Sequence, residues 1–387
     1  MENKSFFQTK QKDASKILLG YWHNWFSQND GYQQGSAAAI QLKDIPKQYN
    51  LIAVAFMKAS NENPIPQFKP YTGTDQDFKQ QVAQLNQQNQ KVIISLGGGN
   101  AHIALSKEHE EAFTQQLIDT CEKYLFSGID LDLEGASITL ADNQIVIPNA
   151  FNAVKKYYTE KGIDFIITMA PEFPYLRENG AYIPYLNSID YDLIAPQYYN
   201  QGGDGVSVGD KWYAQNDNQN KKEFLFYLTE SLVQGTRGFY RIPHDKFAIS
   251  LPSNPDAASN GYVEDPDDLI LAFNKFEQNS IPIKGLMTWS INWDDGKTKD
   301  GEAYNWQFLK NYESLITNSH DSNNNSTDEK KPEVVPNGQY AEWKVNYGYQ
   351  RSDKISFNGK VYQCLITHKS QLDWTPDVAV SLWKIIA

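Results

Sequence analysis

Cysteine is almost absent from this chain of 387 residues: there are two, Cys121 and Cys364. They lie on either side of a long polar stretch, so no disulfide framework is expected. The six histidines form no ligand pair of recognised spacing, and no metal or other cofactor is expected. Long apolar runs are missing too, and mean hydropathy is -0.59, which argues against a transmembrane span. Positive charge is in deficit: 35 Lys and Arg stand against 47 Asp and Glu, a net charge of -12. With a pI near 5.0 such a chain repels nucleic acid and anionic membranes, so neither is an expected partner. A neutral or cationic polymer suits it better. Residues 1–8 are polar and lack the apolar centre of a signal peptide, so any export route is either not encoded there or has been removed or replaced.

What the chain does have is length, a 40% hydrophobic content sufficient for a sizeable core, and aromatic residues. Its 23 Tyr and 9 Trp are core material by default, and they are also what sugar-stacking clefts use. Residues 317–337 show no apolar periodicity and carry Pro332 and Pro336-Asn-Gly, which reads as a solvated linker. The domains are therefore expected at 1–316 and 338–387. Before the linker, eight β-rich runs appear at 17–22, 51–57, 91–96, 128–134, 164–170, 191–197, 246–251 and 284–290. The intervals can hold helices; 109–125 places Phe113, Leu117, Ile118 and Cys121 on one face. The fold class expected is α/β, a (β/α)8 TIM barrel, with an elaborated loop in the long 197–246 gap. A barrel puts its chemistry at the C-terminal ends of the strands. Polar and aromatic residues do cluster there: Gly97-Gly98-Gly99, Glu134, Met169-Ala-Pro-Glu172, Gln197-Tyr-Tyr-Asn200 and Trp289.

The run Phe126-Ser-Gly-Ile-Asp-Leu-Asp-Leu-Glu-Gly135 alternates apolar and acidic residues. On a strand, Asp130, Asp132 and Glu134 share one face and Ile129, Leu131 and Leu133 the other. Three carboxylates this close resist ionising together. Catalysis accounts for such crowding, because one group can stay protonated as an acid while a neighbour stays charged. A calcium loop would need a Glu at its twelfth position, which is Ala141 here. An exposed edge strand would not need so long an alternation ending at a glycine.

Ser127-Gly-Ile-Asp130-Leu-Asp132-Leu-Glu134 resembles the Asp-x-x-Asp-x-Asp-x-Glu signature of glycoside hydrolase family 18 chitinases, of the compact bacterial type. Ser95-Leu-Gly-Gly98, Met169-Ala-Pro-Glu172, Gln197-Tyr-Tyr199-Asn200 and Leu286-Met-Thr-Trp289-Ser290 extend the resemblance in the family's order. The resemblance implies a substrate-assisted mechanism, in which the sugar's own N-acetyl oxygen is the nucleophile and configuration is retained. Glu134 would be acid and then base. Asp132 would orient the acetamide, and Asp130 would interact with Asp132 and help keep Glu134 protonated. Tyr199 would bind the acetamide oxygen, and Trp289 would floor the sugar site. Gln197 and Asn200 would hold the sugar, Met169 and Glu172 would line the cleft, and Tyr21 would face either cleft or core. The alternatives are an endo-β-N-acetylglucosaminidase on N-glycans or a non-catalytic lectin on the same barrel.

One departure is Ser127, where the family has its first Asp; a structural or long-range electrostatic effect is expected, not loss of activity. The segment 252–283 is short, where larger relatives insert a wall to the cleft, so an open groove and endo-type cutting are expected. Residues 338–387 carry Tyr340-x-x-Trp343, Asn358-Gly-Lys-Val-Tyr362 and Leu382-Trp383, which resemble the small all-β chitin-binding modules of carbohydrate-binding families 5 and 12. Asn358-Gly359 is a hairpin signal. Tyr362 and Trp383 are read as core, and Trp374 as the exposed stacking residue. The partner implied is chitin, and the implied location is extracellular.

Overall fold

The computed structural model describes residues 16–317 other than Asn61, and 340–386 other than 346, 350, 367, 371–374 and 381. Contacts divide the chain into two compact units, Met1–His320 and Asp321–Ala387.

The first unit is built on an eight-stranded parallel sheet. Its strands are β1 (Ile17–His23), β2 (Leu51–Met57), β3 (Lys91–Gly97), β4 (Gly128–Asp132), β5 (Ile166–Met169) and β6 (Leu193–Ile194). A hairpin of β7 (Gly205–Val208) and β8 (Lys211–Ala214) follows, and then β9 (Ala248–Pro252) and β10 (Gly285–Trp289). The sheet order is β6-β5-β4-β3-β2-β1-β10-β9. Parallel bridges Ile194↔Phe247 and Gln197↔Ser250 join β6 to β9 and close it into a barrel. Each expected run overlaps one of these eight strands. The sixth shortens to two residues, because Pro196 has no N–H to give and the chain beyond pairs only by single bridges. The hairpin, not expected as such, fills the long 197–246 gap.

Helices α1 (Asp75–Gln87), α2 (Glu110–Tyr124), α3 (Asn143–Glu160), α4 (Ile183–Ser188), α5 (Lys221–Gln234), α6 (Pro266–Gln278), α7 (Ile291–Asp294) and α8 (Gln307–Ile316) surround the barrel. In α2, Phe113, Leu117, Ile118 and Cys121 are buried on the expected face. Strand alternation separates two cores. Outward residues such as Ile94, Ile129, Leu131 and Ile167 pack with the helices. Leu19, Tyr21, Ala53, Ala55, Ala170, Ala195 and Met287 face inward. Small inward residues near the strand ends leave room at the barrel mouth for larger polar groups. Each fully buried outward aliphatic contributes about 1.5–3 kcal/mol, which offsets the cost of the acidic groups inside β4.

The second unit holds a three-stranded antiparallel sheet of β12 (Lys354–Phe357), β13 (Lys360–Cys364) and β15 (Trp383–Ile385), and a two-stranded pair, β11 (Gly348–Tyr349) with β14 (His368–Lys369). Asn358 (φ 51°) and Gly359 (φ 73°) form the two-residue turn joining β12 to β13, the left-handed geometry that Asn-Gly tolerates. Tyr349, Ile355, Tyr362, Cys364 and Trp383 form its core, with Trp343 half-buried against Phe357. Trp374 lies outside the described residues.

Candidate active site

Strand β4 carries Asp130 and Asp132 inward, 1% and 3% exposed. Glu134 follows in extended backbone (φ -121°, ψ 151°) and so keeps the alternation, before Gly135 turns the chain at φ 54°. All three acids therefore share the inner face, but they meet different surroundings.

Asp130 lies deepest. Three hydroxyls donate to it, Tyr21 and Ser95 to Oδ2 and Thr168 to Oδ1, each at 2.6 Å. Burial raises its pKa, and these hydrogen bonds oppose the rise. Among the described residues one side-chain donor reaches Asp132: Gln197 Nε2 at 3.0 Å from Oδ1. Burial, then the charges of Glu134 and Asp130, push its carboxyl well above the usual carboxylate range. The same Gln197 nitrogen lies 3.3 Å from Glu134 Oε1 and 3.2 Å from the Ala170 carbonyl. Glu134 is half-buried, and its pKa is raised by burial and by Glu172, against the Gln197 hydrogen bond. Glu172 is itself held by the Gly135 N–H at 3.0 Å.

The glycines after β3 serve close approach. A Cβ on Gly97 (φ 130°) would stand 2.0 Å from the Asp132 carbonyl oxygen, and one on Gly98 (φ 85°) would stand 2.7 Å from the Phe56 ring. Tyr199 is 5% exposed; burial and then the charges of Asp132 and Glu134 raise its hydroxyl pKa, against a hydrogen bond with Ser250. Trp289, half-buried, stacks on Phe56 at 5.8 Å and 12°. Trp25 stacks on Phe56 at 6.1 Å and on His23 at 4.3 Å. Burial lowers the His23 pKa to about 3, so the ring is neutral, and its Nε2 lies 2.7 Å from Ser290 Oγ. The result is an apolar floor beside an acidic wall.

Several expected residues sit elsewhere. Met169 does not line the cleft: Thr168 points inward to Asp130, so alternation turns Met169 outward into the helix-facing core, fully buried. Tyr21 does not face the open cleft; it is 1% exposed and its hydroxyl is spent on Asp130. Asp130 makes no hydrogen bond to Asp132 among those described and reaches it through charge. Asn200 is exposed at φ 58°, and its Oδ1 accepts both the N–H and the hydroxyl of Ser259 at 2.8 Å, bracing two loops. Ser127 lies just before β4 and donates to Asn86 Oδ1 at 3.0 Å, away from the acids. Reading for sites missed Ser95, Thr168, Trp25 and His23. The first two had a signal, since each is a polar residue at an inward position of an otherwise apolar strand. Among the described residues, no group of three or more His, Cys, Asp or Glu could hold a metal ion.

Residues 17–227 match the family model of glycosyl hydrolases family 18, and residues 342–384 that of carbohydrate-binding module family 5/12. A chitinase of Enterococcus faecalis is 48% identical over 78% of this chain and 88% of its own length. Chitinase D of Niallia circulans is 32% identical over 73% of this chain, which spans 59% of that longer protein. The crystal structure of a family GH18 chitinase from Chromobacterium violaceum superposes with a TM-score of 0.63 at 28% identity, covering 76% of this chain and 83% of that one.

Proposed function

The chain belongs to glycosyl hydrolases family 18, and from that membership we propose that it hydrolyses the β-1,4 linkages between N-acetylglucosamine units of chitin, endo-acting and with retention. The observation that carries the mechanism is the arrangement under Gln197. A half-buried Glu134 of raised pKa stands beside a buried Asp132, and both accept from one amide.

Glu134, protonated, gives its proton to the glycosidic oxygen as the bond to the anomeric carbon breaks. The acetamido oxygen of the same sugar closes on that carbon and forms an oxazolinium ion. Asp132 accepts the acetamido N–H and faces the positive charge as it grows. Asp130, fixed by its three hydroxyls, adds negative charge behind Asp132 without moving. Tyr199 donates to the acetamido oxygen and aims it. Water then attacks the anomeric carbon, giving its proton to the Glu134 carboxylate, and the two inversions leave configuration unchanged. Trp289 carries the apolar face of the reacting sugar, and Gln197 and Glu172 set the acid's position and charge. In this reading 1–316 is the catalytic domain, 317–337 the linker, and 338–387 a chitin-binding module that holds the enzyme on the polymer. Because an insoluble polymer does not cross a membrane, the enzyme works outside the cell.

What supports endo-action is the short segment between β9 and β10. Only a loop and the single helix α6 lie there, with no added domain to wall the groove. The test is hydrolysis of long chito-oligosaccharides and of a high-mannose glycoprotein by wild type and Glu134→Gln. Mixed internal-cut products with retained anomers are expected, with a loss of about 10²–10⁴-fold in Glu134→Gln. Undiminished cleavage in the variant would sink the mechanism. Dimers released only from chain ends would sink endo-action, and preference for the glycoprotein would sink the substrate.

A further inference from the structure

We propose that Lys58, just past the end of β2, is a specificity-determining residue that turns cationic, N-deacetylated sugar units away from the cleft; this rests on the reading of the active site above. A chain that has lost acetyl groups carries ammonium groups where its amides were. The carboxylates of Asp130, Asp132, Glu134 and Glu172 attract such a chain. A unit without its acetamide has no nucleophile for substrate-assisted cleavage, so its binding blocks the site without reaction. A positive charge held beside the acids weakens that attraction and leaves a neutral, acetylated chain unaffected.

The contacts of Lys58 put its ammonium beside the site. Its backbone is pinned by Gln67, whose carbonyl accepts the Lys58 N–H at 3.1 Å and whose N–H donates back at 2.8 Å. Its Nζ lies over the Phe56 ring, 5.3 Å from the centroid. Phe56 in turn stacks on Trp289 at 5.8 Å. A Cβ on Gly98 would stand 2.7 Å from that same ring, and one on the next residue, Gly99, would stand 3.2 Å from Glu134 Oε2. One aromatic ring and two glycines therefore separate the ammonium from the acid.

The charge of Lys58 is felt in the site and is not cancelled by a partner. Burial lowers its pKa, and the negative charge of Asp132 opposes that fall. Among the described residues, its Nζ makes no ion pair and donates no hydrogen bond. An exposed lysine that served only to cover Phe56 would need its stem and not its charge. Two unit charges about 7 Å apart at a protein surface repel enough to change binding on the order of fivefold.

The test uses the full chain and two soluble ligands, the six-unit acetylated chito-oligosaccharide as substrate and the six-unit glucosamine oligomer as competitive inhibitor. The pH is kept low enough for the inhibitor's amines to stay protonated. Lys58→Met keeps the stem over Phe56 and removes the charge; the inhibition constant is expected to fall about fivefold, with KM for the acetylated substrate changed less than twofold. Lys58→Arg keeps the charge and is expected to match wild type. In about 1 M salt, where the screening length is about 3 Å, the difference between wild type and Lys58→Met is expected to vanish. The C-terminal module is the same in every variant, so its contribution cancels. An unchanged inhibition constant in Lys58→Met, or a change in KM as large as the change in inhibition, overturns the filter. No turnover of the acetylated oligomer by wild type overturns the active-site reading itself, and the filter with it.

Discussion

Asp294 and Asp132 are both buried, 0% and 3% exposed, yet their surroundings differ. Asp294 accepts from the Tyr49 hydroxyl at 2.6 Å and from the N–H groups of Phe308 and Leu309 at 2.7 and 3.1 Å, at the start of α8. Burial lifts its pKa to about 6, and these hydrogen bonds hold the rise back. Among the described residues Asp132 has one side-chain donor, and the charges of Glu134, Asp130 and Glu172 add to its burial. A buried acid supplied with donors ties elements together, because its ionised form is solvated by the protein. A buried acid short of donors is in electrostatic debt that a substrate N–H or a proton can relieve.

Asp132→Asn breaks the reactive side of this comparison and carries the largest effect. We expect kcat on a soluble chito-oligosaccharide to fall about 10²–10³-fold, the scale for losing one preorganised charge interaction in a transition state. The melting temperature is expected to hold or rise, because a repulsive charge is gone. A clear fall in melting temperature with normal kcat would place Asp132 with Asp294.

Asp294→Ala breaks the structural side. Unpaired donors are left buried, so stability falls by about 1–3 kcal/mol, read by denaturant unfolding, while kcat per folded molecule holds. The pH dependence has a definite sign. The folded pKa of about 6 exceeds an unfolded value near 3.9, so the native state binds more protons in between. The stability that the raised pKa contributes is present below about pH 4, where the carboxyl is protonated, and is lost as pH rises through about 6. The gap between wild type and variant is therefore widest near pH 4 and narrows toward pH 6. A gap that widens with pH would mean that the ionised form is the better cap.

Glu172→Gln sharpens the comparison with the smallest effect. Burial and then the Glu172 charge raise the pKa of Glu134. In the proposed mechanism Glu134 acts in its protonated form, so the rate is expected to fall as pH rises through that raised pKa. Removing the Glu172 charge should move the alkaline limb of kcat/KM to lower pH. An unmoved limb would leave Glu172 with only its hydrogen bond to Gly135.

The eight strands were legible because each is an apolar run of barrel-strand length, and β4 because its acidic alternation obeys a period of two. The same period, applied to β5, would have turned Met169 outward once Thr168 was set inward; a motif read as a block hid that parity. The buried partner of Tyr21, left open between cleft and core, and the bracing contact of Asn200 were illegible for a different reason. Whether a strand-end tyrosine meets sugar or a buried carboxylate depends on what the neighbouring strands bring to it, and Ser259 lies far along the chain from Asn200. The aromatic floor was partly legible in Trp289 and illegible in Trp25, whose neighbours Phe56 and His23 come from two strands.

By itself the sequence determined which side chains share a face, since a strand's period is local and needs no partner. It thereby settled that Asp130, Asp132 and Glu134 point one way. Only the tertiary structure decided how unlike they are. Three hydroxyls from β1, β3 and β5 converge on Asp130, and one amide beyond β6 spans Asp132 and Glu134. A carboxylate's protonation depends on burial and on donors within hydrogen-bonding distance, and those donors come from strands far apart in the chain.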